Sequence, residues 1–266
     1  MEALGLPSKN GNYFTSKIHH TAEGPTDPRS NHSNQHKIVC VTGAGKGLGY
    51  HIAIAYAHAG ATGLIISSRT KSDLDALSAE LKTINPHIEI LSQVCDTLKE
   101  TDIIELAKAT KERFGGRLDV CVANAGIISK YLPDGSLPVG LVADMDFERV
   151  IDINFLGTMR VARHFVPLLL ESKQGAQAFV AITSVAAHGF SSSFVPVAYN
   201  VSKIALNRMV EHMHHDYHKD GLLSYAVHPG AVLTPQTQAH SLSKGDAWDS
   251  GESRAMEAHI AMIDNV

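Results

Sequence analysis

Tyr199 and Lys203 stand four residues apart in the stretch Tyr-Asn-Val-Ser-Lys, which follows Pro196 and opens a helical run over 198–217. At that spacing two side chains share a helix face, one turn apart. A phenol with a pKa near ~10 is a poor acid or base at neutral pH. A fixed ammonium beside it favours the phenolate and lowers that value. A tyrosine tuned in this way can hand a proton to an alkoxide or take one from an alcohol. The spacing alone is weak evidence, because a surface aromatic above a solvated lysine gives the same pattern. Its weight depends on whether the chain also holds a hydride carrier and a group that grips a carbonyl.

A site for such a carrier is legible near the start. The apolar run 38–41 has the character of a buried parallel strand. Thr42-Gly43-Ala44-Gly45-Lys46-Gly47-Leu48-Gly49 follows it, and an Ala-rich helical segment covers 47–58 before Gly60. Strand, glycine loop and helix together give the glycines meaning: they allow a tight turn and the approach of a pyrophosphate to the backbone. The helix start adds unpaired N–H groups and a favourable dipole. A Walker loop is excluded, since Cys40 stands where it needs glycine and Gly47 where it needs Ser or Thr. Nucleotide folds often place an acidic residue at the end of the next strand, on the ribose 2′-hydroxyl. Here that strand, 64–69, ends in Ser68 and Arg69. A guanidinium there, with Lys46 in the loop, suits a 2′-phosphate and points to NADP(H) over NAD(H). Two solvated basic residues are the alternative.

The remaining pattern supplies the frame. Helical segments are expected over 74–83, 101–114, 147–171 and 198–217, and strands over 88–95, 118–123, 178–183 and 222–227. Strands alternating with helices imply a parallel sheet covered on both faces. Ligands of such sheets bind beyond the C-terminal strand ends. Gly43, Arg69, Asp96, Asn124, Ser184 and Pro229 all follow strand ends, so they converge on one edge. Asn154, inside a helical segment, is either a solvated surface residue or one kept for a polar task. The chain has 266 residues, 44% apolar and 19% charged, which suits one α/β domain. A formal charge of −4 makes no electrostatic case for nucleic acid or an anionic membrane. No apolar run approaches the ~20 residues of a membrane helix, and residues 1–7 lack a signal pattern. Cys40, Cys95 and Cys121 lie in apolar strand-like runs and read as buried thiols of an intracellular, cytoplasmic protein. Residues 1–36 read as a flexible polar arm.

With these residues in view the sequence resembles the short-chain dehydrogenase/reductase family, and within it fungal reductases with a polar N-terminal arm. The glycine loop at 42–49 looks like the family's TGxxxGxG, Asn124-Ala125-Gly126 its NAG element, and Asn154 its helix asparagine. Ser184 looks like its catalytic serine, Tyr199 and Lys203 its YxxxK pair, and Pro229-Gly230 with Thr234 its PGxxxT segment. The resemblance runs from about 37 to 235, the catalytic domain. It implies a single doubly wound Rossmann fold with strand order 3-2-1-4-5-6. It implies hydride transfer between nicotinamide and a ketone or secondary alcohol by a Ser-Tyr-Lys-Asn set. In it Tyr199 is acid or base, and Lys203 lowers the phenol's pKa and binds the nicotinamide ribose. Ser184 holds the carbonyl oxygen, and Asn154 helps hold a proton-relaying water. Gly43, Lys46, Gly47, Leu48, Gly49, Ser68 and Arg69 line the cofactor site. Asp96 would meet the adenine, Asn124 would brace the strands, and Thr234 with the Val232 backbone would hold the carboxamide. A homodimer or homotetramer through the helices 147–171 and 198–220 is implied too.

Two departures accompany the match. Ala123 stands where the family usually has a second asparagine. After Thr234 no β-branched run follows, so 236–266 is expected to be a shortened lid and C-terminal segment without a seventh strand. The sixth strand would then be a sheet edge, with reduced stability or an outside pairing. A cofactor-binding protein with weak or no turnover is therefore the alternative reading. Loops 186–194 and 235–248, with His188, Phe190, Phe194 and Trp248, are candidate walls for an apolar or aromatic ketone. The pairs His214/His218 and Glu211/His215 could in principle hold a metal. They lie more than two turns past Lys203, and no metal site is expected.

Overall fold

The computed structural model describes residues 22, 24–30, 34–193, 195–230, 232 and 234–238. Six strands form its sheet: β1 (Ile38–Thr42), β2 (Gly63–Ser68), β3 (Glu89–Val94), β4 (Val120–Ala123), β5 (Ala178–Ile182) and β6 (Leu223–Val227). All neighbours pair in parallel, in the order β3-β2-β1-β4-β5-β6. The expected doubly wound sheet is thus observed. The chain winds outward from β1 to β3, then returns to place β4 on the other side of β1. That reversal opens a crevice beyond the C-terminal ends of β1 and β4, where ligands of such sheets bind.

Alternation along the central strands sends neighbouring side chains to opposite faces. Cys40, Ile65, Cys121 and Phe179 pack with Ile103, Phe165 and Val210, which belong to α3 (Glu100–Arg113), α5 (Gly157–Glu171) and α6 (Val197–Tyr217). Val39, Val41, Ile66 and Val122 face the other way, onto Ile52, Leu74 and Leu77 of α1 (Gly47–His58) and α2 (Lys71–Ile84). The cysteines are buried and free.

The segment expected as one helix over 147–171 is interrupted. α4 (Phe147–Ile151) passes into one π-helical turn, Asp152–Leu156, before α5 begins. There the Gly157 N–H reaches back five residues to the Asp152 carbonyl. Periodicity cannot foretell this, because one widened turn barely disturbs the apolar stripe. Such turns are frequent at functional sites, and this one contains Asn154.

Before residue 37 the described residues include a short 3-10 turn, Gly24–Thr26, and a buried Asn34. Among the described residues β6 pairs with β5 alone. The expected seventh-strand question and most of the lid, 239–266, lie outside the described residues, as do Phe194 and Trp248. No helix among the described residues is long and apolar enough to cross a membrane.

Candidate active site

The glycine loop is shaped by close approach. Gly43 has φ +67°, and a Cβ there would lie 2.9 Å from the Ala125 Cα. A Cβ on Gly49 would lie 2.5 Å from both Asn124 Nδ2 and the Gly43 carbonyl. Asn124 clamps this turn: its Nδ2 donates to the Thr42 and Gly43 carbonyls at 2.9 and 3.2 Å. Its N–H donates to Thr42 Oγ1 at 3.1 Å. Asn124 thus ties the end of β1 to the segment after β4. On the far side, Gly47 (φ +57°) leaves its would-be Cβ 3.2 Å from Thr234. Thr234 is held by Thr237, whose hydroxyl also donates to the Val232 carbonyl at 2.9 Å. Thr237, in the short helix α7 (Pro235–Gln238), carried no motif signal. Leu48 packs in the first turn of α1, against the core. The loop thus carries glycines at the start of α1, a helix N-terminus of the kind that suits a dinucleotide's pyrophosphate.

At the end of β2, Ser68 is half-buried and Arg69 exposed. The would-be Cβ of Gly45 would lie 2.7 Å from Ser68 Oγ and 3.1 Å from the Asp73 Cβ. Lys46 reaches across the loop to Asp73, with Nζ 3.2 Å from Oδ2. Asp73 enters from the first turn of α2, four residues past Arg69, so a carboxylate stands beside the loop although the strand itself ends in Ser68 and Arg69. Asp96 follows β3; its Oδ1 accepts the Leu98 N–H at 3.1 Å and starts the turn into α3.

Beyond β5, Ser184 begins a 3-10 turn, Val185–His188, and its oxygen accepts the Ala186 N–H at 3.1 Å. That leaves the O–H to donate. The hydroxyl faces the Tyr199 phenol and favours its ionised form, yet burial is the larger effect and raises the phenol's pKa. The Lys203 Nζ lies 5.4 Å from the Tyr199 ring centroid and donates to the Ile182 carbonyl at 2.8 Å. Burial pulls the ammonium down to about 8. The expected lowering of the Tyr199 pKa by Lys203 is accordingly not found. The ammonium is turned onto a carbonyl, and desolvation of the phenol prevails.

Asn154 is fully buried. Its Oδ1 accepts the Ile127 N–H at 2.7 Å, and its Nδ2 donates to the Ile127 carbonyl at 2.8 Å and to Ser202 Oγ at 3.1 Å. Both donors are spent, so here it is a brace between the segment after β4 and α6. A Cβ on Gly126 would lie 3.3 Å from Asn154 Oδ1 and 3.7 Å from Lys203 Nζ, so both groups border one small space. Ser202, which the motif leaves unassigned, is fully buried and donates to the Tyr199 carbonyl at 2.7 Å. Asp144 is also buried, and its Oδ2 accepts the Ala198 N–H at 2.9 Å, one residue before Tyr199.

The loops after β4 and β5 meet where the Gly140 N–H donates to Ser192 Oγ at 2.8 Å. Val139, Leu141, Val142 and Met145 are exposed on one, and Phe190 on the other, where His188 is also exposed. Further along α6, the His214 and His218 rings stack at 5.1 Å. Among the described residues no group of three or more His, Cys, Asp or Glu side chains could hold a metal.

The short chain dehydrogenase family model matches residues 37–244. Among curated proteins the chain is 36% identical over 236 residues to the short chain dehydrogenase pgmD of Aspergillus terreus, covering 86% of this chain and 74% of that one. It is 33% identical over 243 residues to mpl6 of Monascus purpureus, covering 87% and 76%. Among solved structures it resembles a levodione reductase, with TM-score 0.73 and 26% identity over 87% of this chain and 91% of that one. The alcohol dehydrogenase of Thermococcus sibiricus, complexed with 5-hydroxy-NADP, matches at TM-score 0.69 and 26% identity, covering 87% and 93%. A Brucella melitensis 3-ketoacyl-(acyl-carrier-protein) reductase complexed with NADH matches at TM-score 0.65 and 24% identity, covering 78% and 81%.

Proposed function

Because the chain belongs to the short chain dehydrogenase family, oxidoreductases that use a nicotinamide cofactor, we propose that it moves a hydride between NADP(H) and a ketone or secondary alcohol. The observation that carries this reading is the Ser184 hydroxyl facing the Tyr199 phenol, with the Lys203 ammonium beside the ring. A bound nicotinamide supplies or accepts the hydride; the protein binds, orients and moves the proton.

Ser184 donates its O–H to the carbonyl oxygen, since its lone pair already takes the Ala186 N–H. Tyr199, protonated at neutral pH and held so to higher pH by burial, gives its proton to the oxygen as charge develops there. In the reverse direction the phenolate takes the alcohol proton. Lys203 supplies positive charge along the ring, and Asn154 with Ser202 holds that helix in place. Arg69 and Lys46 support NADP(H), and Asp96 borders the adenine end. The exposed apolar residues on the two loops favour an apolar or aromatic ketone. Association as a homodimer or homotetramer through α4–α5 and α6, in the cytoplasm, is part of the proposal. Val201 and Ile204, exposed on α6, support the association.

NADPH oxidation against a panel of apolar ketones tests the reading. Tyr199→Phe should lower turnover by roughly 10²- to 10⁴-fold and leave cofactor binding intact. Cofactor binding with no Tyr199-dependent turnover would instead favour a binding protein.

A further inference from the structure

Around the end of β2 the cofactor corner brings together Arg69, Lys46 and Asp73. Arg69 is exposed and has no ion pair among the described residues. Lys46 is not similarly free: its Nζ is 3.2 Å from Asp73 Oδ2. The lysine side chain is 67% exposed and the aspartate 21%, so the carboxylate is the fixed partner and the ammonium the movable one. Asp73 and Ser68 also crowd the same glycine, Gly45, which places the carboxylate against the loop and the β2 terminus. Acidic groups near this terminus accept the ribose 2′-hydroxyl, whereas a 2′-phosphate needs cations and is repelled by a carboxylate.

We infer that Asp73 is a specificity-determining residue of the cofactor site: it competes with a 2′-phosphate for Lys46 and narrows the preference for NADP(H) over NAD(H). This rests on the cofactor reading above. With a 2′-phosphate in place, Lys46 leaves Asp73 for the phosphate, and the uncompensated carboxylate opposes the second charge. With a 2′-hydroxyl, the pair persists and Asp73 has a lone pair to offer. The corner is therefore tuned for moderate discrimination, although its basic residues taken alone suit a phosphate.

Titration calorimetry of the full chain with NADP⁺ and NAD⁺ tests this. Asp73→Asn removes the charge and keeps the shape. It should tighten NADP⁺ by roughly three- to tenfold, the range of an exposed ion pair with added repulsion, and leave NAD⁺ within about twofold or weaker. In a Lys46→Ala background the same substitution should give less than half that gain. If Asp73→Asn does not fold, Asp73→Ser, which keeps a side chain suited to a helix start, takes its place. Unchanged or weaker NADP⁺ binding, or an equal gain for both cofactors, overturns the inference and leaves the cofactor reading standing. Wild-type protein that binds neither dinucleotide overturns both.

Discussion

The Asn154 amide donates to the Ser202 hydroxyl at 3.1 Å and so joins the π-helical turn to the helix that carries Tyr199 and Lys203. Ser202 passes the link on, donating to the Tyr199 carbonyl. Ser202→Ala leaves a buried N–H without its acceptor, at a cost of about 1–3 kcal/mol. Asn154→Ala also abandons both Ile127 groups and should cost more. Urea unfolding of the two variants should rank them in that order; equal midpoints with wild type would remove the link from the account.

Tyr199 should stay protonated past its ordinary range near ~10. Among the described residues, Ser184 is the group that opposes burial there. Ser184→Ala should therefore move the phenol's titration, followed by tyrosinate absorbance against a Tyr199→Phe blank, to still higher pH. In the oxidation direction the alkaline rise in kcat should move the same way. A shift to lower pH would contradict the arrangement.

Lys203 makes stability depend on pH. Folding lowers its pKa from the ordinary lysine value to about 8. Between the two values the unfolded chain binds more protons, so this group's contribution rises with pH across that window, by about 3 kcal/mol in all. Relative to wild type, Lys203→Met should lose this contribution between pH 8 and 10, a window in which the upward-shifted thiols of Cys40 and Cys95 act in the opposite sense in both proteins. Tyr199, whose shift is upward, acts in the opposite sense only above that window. Chemical denaturation of both proteins at several pH values checks the sign.

Two glycines near the site should respond unequally. A Cβ at Gly49 meets Asn124 and the Gly43 carbonyl at 2.5 Å, and neither can retreat without opening the turn. Gly49→Ala should cost about 1–3 kcal/mol or more and abolish dinucleotide binding. At Gly126 the nearest atom is Asn154 Oδ1 at 3.3 Å, so Gly126→Ala should fold with a small loss. Thermal unfolding with and without cofactor separates the two.

Asp144 holds the start of α6 through the Ala198 N–H. Asp144→Ala should cost about 0.5–2 kcal/mol, as loss of a helix-start acceptor does, whereas Asp144→Asn retains an acceptor and should lose less. Melting temperatures of the pair decide it. Equal losses would mean that charge, not the hydrogen bond, is what matters there.

By itself the sequence determined the alternation of strands and helices, the glycine turn and the Tyr199–Lys203 spacing, because period and glycine spacing are local signals; the strand order and the places of Asn124 and Ser184 came from the family resemblance. The run from about Gly47 to His58 was legible as a helix, since Gly60 ends what the glycine loop begins. Only the tertiary structure decided the π-helical turn at Asn154, the Ser202 link, the Asp144 contact and the Lys46–Asp73 pair. Each depends on side chains from segments remote in sequence or on one altered backbone hydrogen bond, and neither leaves a periodic trace. The direction of the Tyr199 shift belongs with them. The four-residue spacing places an ammonium near the phenol, but how deeply the fold buries the pair decides which effect prevails.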